Sequence, residues 1–158
     1  MTVPSNVLRP MYCTRSVKGK KMMGGLSGLF AFKPNHIEAM ALSGCDNTED
    51  AAKWLVEHGV KHVFVSAGAD GMVIAERDGD EKVVLSAVPI CKTTIKNATG
   101  GGDSVMAALI KGYLMGMNSM DAARFAQAAG SITMESEHAI AENMSFENAY
   151  KRMEENKL

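Results

Sequence analysis

Residues 96–110 decide how this sequence folds, and they read Lys96-Asn97-Ala98-Thr99-Gly100-Gly101-Gly102-Asp103-Ser104-Val105-Met106-Ala107-Ala108-Leu109-Ile110. Three glycines meet an aspartate, and a run of helix formers with periodic apolar residues follows. Glycine permits the backbone conformations of a tight turn and lets the backbone approach a ligand closely. The N–H groups of a first helical turn lack partners inside the helix, and with the helix dipole they attract an anion, most often phosphate. The stretch therefore predicts a tight turn, a buried helix and an anion site between them.

Asp103 is unexpected in an anion site, because a carboxylate repels an anion. A general base that takes the proton of an attacking hydroxyl would explain its presence. The helix dipole alone also favours an acidic residue in a first turn, so a purely structural role stays open. No Lys-Ser/Thr follows the glycines and no G-x-G-x-x-G spacing occurs in this stretch, which disfavours a P-loop ATPase and a dinucleotide-binding domain.

A second candidate pair, Asn35 and Glu38, follows the apolar run 29–32, which predicts a short buried strand. The two residues stand at the N-cap and third positions of a predicted helix, 36–43, and can form a capping box. The same pair lies after the C-terminal end of a strand, where ligands of α/β sheets bind. An amide and a carboxylate there could organise the waters of Mg²⁺ and phosphate groups. Both interpretations stay open.

Strand and helix patterns alternate along the chain before residue 77, and its end is helical. This order predicts an α/β sandwich with a partly parallel sheet. The segment Ser66-x-Gly68-x-x-Gly71 between two strands is either a simple turn or a place where the backbone makes room for a nucleotide. Residues 1–15 show no period and predict an irregular segment, and glycines weaken a helix over 17–29. The other predicted elements are a helix from 48 to 58, strands over 62–66, 72–75 and 82–85, and helices over 102–117, 119–136 and 146–153.

Composition limits the class of protein. A chain of 158 residues with 46% apolar and 22% charged residues suits one soluble globular domain. The net charge of −1 gives no electrostatic case for nucleic acid or an acidic membrane, and no apolar run could span a bilayer. The start, residues 1–6, lacks the layout of a signal peptide. Three widely spaced cysteines predict reduced thiols in a cytoplasmic protein, and four scattered histidines predict no metal site.

Three motifs together resemble one family, the PfkB or ribokinase-like carbohydrate kinases. Asn97-x-x-Gly100-Gly101-Gly102-Asp103 resembles the second family signature, D-T-x-G-A-G-D. Asn35-His36-Ile37-Glu38 is similar to the N-x-x-E motif, and Ser66-Ala67-Gly68-Ala69-Asp70-Gly71 is similar to the T/S-x-G-x-x-G nucleotide segment. The motifs come in family order at family-like separations. The resemblance implies a ribokinase-like three-layer α/β/α sandwich over residues 16–158, the C-terminal ATP-binding half of a kinase whose N-terminal half is missing.

The resemblance implies a role for each matching residue. Asp103 would take the proton of the sugar hydroxyl, and the amides of Gly100, Gly101, Gly102 and Asp103 would form the anion hole for the transferring phosphoryl group. Asn35 and Glu38 would hold Mg²⁺ through water and touch phosphates.

The remaining matches concern the nucleotide and a monovalent cation. Ser66, Gly68 and Gly71 would line the ATP site, and Gln127 falls where the family often places an Asn near the adenine. Asn97 and Thr99 match part of the K⁺ site of the family. Asn97 stands for the usual Asp with one charge fewer, which puts K⁺ activation in question, and Gly101 replaces the usual Ala.

The substrate and the partners follow from the resemblance alone. The stretches 33–39, 97–100 and 133–137 look most like pseudouridine kinases, which implies ATP-dependent phosphorylation of the 5′-hydroxyl of pseudouridine, with ribose or another nucleoside as the alternative. The sugar-binding aspartate, the first glycine-rich signature and the lid of the family are not recognisable. We therefore expect the isolated chain to bind nucleotide weakly, to turn over poorly if at all, and to show no robust pseudouridine kinase activity. We also expect an exposed sheet edge that pairs with a second copy or with an N-terminal half. The competing hypothesis is an inactive nucleotide-binding remnant or interaction module.

Overall fold

The computed structural model describes residues 11–13, 23–138 and 141–156. Within it the chain forms two compact units, Met1–Ala87 and Val88–Leu158.

The first unit is built on a sheet in which the described strands follow the order β1-β2-β3-β4-β5. Strands β1 (Met11–Cys13), β2 (Ala31–Lys33) and β3 (His62–Ser66) run parallel, and β4 (Met72–Arg77) is antiparallel to β3 with Ser66 opposite Met72. The turn 78–82, closed by a 2.9 Å bond from Asp78 N–H to Lys82 O, leads into β5 (Val83–Val88). Parallel and antiparallel pairs therefore share one mixed sheet.

Helices α1 (Met23–Leu26), α2 (His36–Ser43) and α3 (Thr48–Glu57) belong to the same unit. The buried positions of α3 are Ala51, Ala52, Leu55 and Val56, which form one face at helical spacing. They share a core with Phe32, Val63 and Val65 of the sheet. The parallel connections place the carboxyl ends of β2 and β3 side by side, which is where α/β proteins bind ligands.

The second unit consists of helices α4 (Gly101–Leu114), α5 (Ser119–Glu135) and α6 (Phe146–Glu155). Two glycines let α4 and α5 pack closely. A Cβ added to Gly130 of α5 would lie 2.7 Å from Cγ2 of Val105, and one added to Gly112 would lie 3.1 Å from the Cβ of Ala122. The rings of Phe125 and Phe146, 5.1 Å apart, join α5 to α6.

The observed elements confirm the α/β fold with a partly parallel sheet and most of the predicted ranges. Helix 36–43 and strand 62–66 are reproduced, and other ends differ by one to three residues. The prediction of an irregular segment over 1–15 is wrong at Met11–Cys13, where strand β1 pairs with β2. The sequence of these three residues has no strand pattern, and the pairing with β2 makes them a strand. The predicted helix over 17–29 lies partly outside the described residues. None of the helices in the described ranges is long and apolar enough to cross a membrane.

Candidate functional site

The glycine turn has the geometry that an anion site requires. Gly100 is the N-cap of α4 and has a left-handed backbone, with φ 85° and ψ −12°, a conformation that favours glycine. Gly101, Gly102 and Asp103 form the first helical turn, and the first bond of the helix runs 2.9 Å from Ser104 N–H to Gly100 O. The amide of Gly101 makes a long 3.4 Å bond to Ala98 O, and the side chain of Asp103 is exposed. The positive end of the helix dipole thus lies beside an exposed carboxylate, and Gly102 of the same turn is exposed as well.

The residues that lead into this turn, 96 and 97, are hydrogen-bonded to the end of α5. The carbonyl of Met134 accepts the N–H groups of Lys96, at 2.8 Å, and of Asn97, at 3.2 Å. The side chain of Asn97 accepts the N–H of Thr99 at 2.9 Å and donates its Nδ2 to the carbonyl of Glu137 at 3.2 Å. The predicted site residues Asn97, Thr99 and Gly100–Asp103 are therefore fixed together in the second unit.

In the first unit, Asn35 and Glu38 form the complete capping box of α2. Asn35 N–H donates to Glu38 Oε2 at 3.0 Å, and Glu38 N–H donates to Asn35 Oδ1 at 2.8 Å. The structural interpretation of this pair is confirmed. Asn35 also forms a parallel bridge with Ser66, and Ser66 N–H donates to Pro34 O at 3.1 Å. Two of the three motifs thus meet at the carboxyl ends of β2 and β3.

The segment after Ser66 is a tight turn between β3 and β4. A short 3₁₀ helix spans Gly68–Asp70, and Ala67 N–H donates to Gly71 O at 2.9 Å. Gly68 has φ 57° and Gly71 has φ 86° with ψ −129°, so both have backbones that L side chains rarely adopt. A Cβ added at Gly68 would meet nothing within 4 Å, which leaves open space beside the turn.

An ionic cluster that the sequence motifs did not indicate joins α5 to α6. Arg152 donates from Nη1 and Nη2 to the two carboxylate oxygens of Glu135, at 2.8 and 2.9 Å, and Thr93 Oγ1 donates to Glu135 Oε1 at 2.8 Å. The hydrogen bond from Arg152 is the main cause that lowers the pKa of Glu135, and burial opposes it. Glu135 in turn raises the pKa of Arg152. Glu135 and Arg152 lie 17 positions apart and Thr93 lies 42 positions from Glu135, separations for which no sequence pattern exists.

Gln127 is buried on α5, in the second unit with the glycine turn. Beside that turn lies a cleft of about 620 Å³ lined by Lys96, Glu135, Glu137 and His138 among others. Among the described residues, no three His, Cys, Asp or Glu side chains are grouped as metal ligands.

A family model described as pfkB family carbohydrate kinase matches residues 4–145. The chain belongs to this family. The pseudouridine kinase of Escherichia coli K12 is 31% identical over 139 residues, which are 85% of this chain and 43% of that protein. The 1-phosphofructokinase of Bacillus subtilis is 34% identical over 113 residues, or 68% of this chain and 36% of that protein. This PfkB chain thus spans less than half the length of these curated relatives.

Solved structures give the same fold. Ribokinase from Thermotoga maritima matches with a TM-score of 0.80 and 23% identity, over 91% of this chain and 48% of that one. Arabidopsis thaliana ribokinase, solved with ribose and ATP, matches with a TM-score of 0.76 and 22% identity over 90% and 46%. A ribokinase II of E. coli, solved with ATP and Mg²⁺, matches with 0.72 and 21% over 85% and 42%. The PfkB chain therefore has a ribokinase-like α/β fold.

Proposed function

We propose that this PfkB chain carries the ATP-binding half and the catalytic base of a kinase that phosphorylates a sugar or nucleoside hydroxyl. The observation that carries the proposal is the first turn of α4. Gly100 adopts a left-handed backbone there, and Gly102 and Asp103, the second and third helical residues, are exposed. An anion site with an adjacent carboxylate suits the transfer of a phosphoryl group to a hydroxyl.

In this reaction Asp103 accepts the proton of the attacking hydroxyl as the new O–P bond forms and the bond from the γ-phosphorus to the β-phosphate oxygen breaks. The amides of Gly100, Gly101, Gly102 and Asp103 offset the charge on the transferring group. Gly101 contributes least among them without a shift of its backbone, because its N–H already points at Ala98 O, 3.4 Å away. Positioning and charge neutralisation are the main requirements of this chemistry.

The residues of the first unit fit a nucleotide with Mg²⁺. When bound, ATP supplies the phosphoryl group and Mg²⁺ neutralises its charge. Glu38 and Asn35 form the capping box, and Asn35 lies beside Ser66 at the strand ends, so oxygen side chains are grouped there. A carboxylate has several lone-pair sites, and Mg²⁺ usually keeps several waters, so Glu38 and Asn35 would hold it through water. We assign the open turn Ser66–Gly71 to the nucleotide and Gln127 to the adenine.

We propose that a monovalent cation is not required. Phosphofructokinase-2 from E. coli, solved with potassium, matches this chain with a TM-score of 0.77 and 22% identity over 95% of this chain and 48% of that one. Here the Nδ2 group of Asn97 donates to Glu137 O, and its Oδ1 accepts from Thr99 N–H. The Nδ2 group thus occupies the carbonyl oxygen of Glu137, which a cation would otherwise be able to bind.

Pseudouridine is the substrate that we propose, since the E. coli pseudouridine kinase matches over the largest share of this chain among the curated relatives above. Ribose or another nucleoside is the alternative. We place the reaction in the cytoplasm and expect the sheet edge to pair with a second copy or with an N-terminal half. Because the chain spans 43% of that relative, we propose that the chain alone binds nucleotide and turns over weakly.

A direct test combines binding and transfer. ADP with Mg²⁺ is titrated into the wild-type chain and into Asp103→Asn by calorimetry, and phosphoryl transfer from ATP to pseudouridine, ribose and cytidine is followed in single-turnover experiments. We expect both proteins to bind ADP and only the wild type to transfer, with a loss of about 10²–10⁴-fold in the variant. Absence of ADP binding at millimolar concentration would refute the proposal. Binding without transfer in both proteins would favour the nucleotide-binding module.

A further inference from the structure

The last turn of α5 provides the backbone acceptors that hold the approach to the glycine turn. The final carbonyls of a helix lack partners inside it. One of them, Met134 O, takes the amides of both Lys96 and Asn97, and Thr93 Oγ1 lies 3.3 Å from Ser131 O. The segment 93–97 therefore caps α5 from outside. A displacement of the C-terminal end of α5 would therefore move the segment that leads into the glycine turn.

The helix end is itself held by one ion pair. Glu135 is the last residue of α5, and Arg152 of α6 grips both of its carboxylate oxygens while Thr93 bonds to one of them. Arg152 Nη1 also lies 3.4 Å from Ser131 Oγ. Bidentate guanidinium–carboxylate pairs are both strong and geometrically specific. The side chains of Arg152 and Glu135 are 24% and 34% exposed, so water screens the pair only in part.

We propose that Arg152, on the last helix, is a positioning residue for the phosphate-binding turn, and that it acts through Glu135 and the end of α5. This inference rests on the proposed function only in that it takes phosphate to be the ligand of the turn. The chain of contacts runs from Arg152 to Glu135, from Glu135 to Thr93, and from the adjacent carbonyl of Met134 to Lys96 and Asn97. Asn97 leads directly into Gly100.

The pair is not required to dock α6, which has its own apolar contacts. Ala149 and Met153 are buried, and the ring of Phe146 packs on Phe125 of α5. Removal of the guanidinium should therefore leave α6 in place and release the end of α5. If the pair docks α6, its loss should speed amide exchange in α6. If the pair positions the turn, its loss should speed exchange in the segment that leads into the turn.

Amide hydrogen exchange in the full chain separates the two roles. The exchange rates of Lys96 and Asn97 are measured relative to those of Leu109 and Ala126 in the cores of α4 and α5, for wild type and Arg152→Met. We expect the ratio to rise about tenfold or more, because charge-assisted bonds are lost. Arg152→Lys keeps the positive charge but loses the bidentate geometry of the guanidinium, so it should give a smaller rise in the exchange ratio.

Lys151→Met is the matched control, since Lys151 forms an exposed pair with Glu155 at 3.7 Å on the same helix. It should change the ratio less than about twofold. An unchanged ratio in Arg152→Met, or faster exchange confined to Ala149 and Met153 of α6, would overturn the proposal. A global loss of stability speeds exchange mainly at Leu109 and Ala126, which open by global unfolding, and therefore lowers the ratio instead of raising it.

A binding measurement completes the test. Arg152→Met should weaken the affinity for ADP with Mg²⁺, and Lys151→Met should not. Failure of the wild type to bind ADP would contradict the proposed function alone, because the exchange ratio is measured without ligand and still decides the role of Arg152.

Discussion

The side chain of Asn97 bonds at both ends, to Thr99 N–H through its oxygen and to Glu137 O through its nitrogen. Asn97→Asp would keep the first bond and place a second oxygen against the carbonyl. The carboxylate and carbonyl oxygens would repel each other because no proton lies between them. The free energy of unfolding of the variant should therefore fall by about 1 kcal/mol. We expect thermal unfolding of the wild type to be the same in K⁺ and in tetramethylammonium.

The variant should be less stable in tetramethylammonium and should recover in K⁺, because a cation can bridge the two oxygens. Differential scanning calorimetry in the two salts at equal ionic strength gives the comparison. Equal unfolding temperatures of Asn97→Asp in both salts would show that no cation site arises there.

Residue roles near a motif were easier to predict than roles that depend on distant contacts. Asn35 and Glu38 were identified from their spacing, because a capping box is local. The position of Asp103 in the first turn of α4 was predictable because it follows the glycines, and its role as a base stays a prediction. Arg152 was not singled out, since its partner Glu135 belongs to another helix and only the packing of α6 on α5 brings the two together.

Helices α4 and α5 pack closely, and two glycines in this region should respond oppositely to alanine. A Cβ at Gly130 would lie 2.7 Å from Cγ2 of Val105, a stiff β-branched side chain, so Gly130→Ala should cost about 1–3 kcal/mol. A Cβ at Gly101 would lie 3.2 Å from Cγ of Met134, a flexible side chain. Gly101→Ala should therefore be neutral or stabilise by up to about 1 kcal/mol.

Urea unfolding of the two variants measures the difference. Adding Val105→Ala to Gly130→Ala removes the clashing methyl groups and should recover part of the loss beyond the cost of Val105→Ala alone. Equal stability of the two glycine variants would contradict the close approach of α4 and α5.

The pair between α5 and α6 should make stability depend on pH. Arg152 lowers the pKa of Glu135 below its ordinary value of 4.5, with help from Thr93 and Lys96 and against burial. The folded chain therefore binds this proton less readily than the unfolded chain. The contribution of Glu135 is complete above about pH 4.5 and is lost as the pH falls through the lowered folded value.

Comparison of wild type with Glu135→Gln by urea unfolding, from roughly pH 7 to roughly pH 3, measures this contribution. The wild type should be the more stable at neutral pH, and the difference should shrink in acid. A difference that is constant with pH would show that the ionised pair does not stabilise the fold.

Element boundaries were predictable where a cap or a turn marks them. The predicted end of α2 at 43 and the predicted start of α5 at 119 agree with the structure, because Gly44 and Asn118 cap these helices by local chemistry. Strand β1 was missed because three residues without a pattern become a strand only when β2 pairs with them. The sequence also could not show that the last turn of α5 accepts hydrogen bonds from residues 93–97, since these contacts span 37 positions or more.

For the whole molecule, the fold followed from three motifs in order, and the family match over residues 4–145 agrees with it. The chain spans 43% of the E. coli pseudouridine kinase and 48% of the T. maritima ribokinase. We therefore propose nucleotide binding and the catalytic base for this chain, and we assign recognition of the sugar to none of the residues described above.

The central claim is that the first turn of α4 binds phosphate through its amides. The most direct measurement is a titration of the ¹⁵N-labelled chain with a non-hydrolysable ATP analogue and Mg²⁺, followed by amide NMR shifts. The account predicts saturable shifts at Gly100, Gly101, Gly102 and Asp103, together with shifts in Ser66–Gly71. A titration that reaches millimolar analogue and leaves the amides of Gly100–Asp103 unchanged would contradict it.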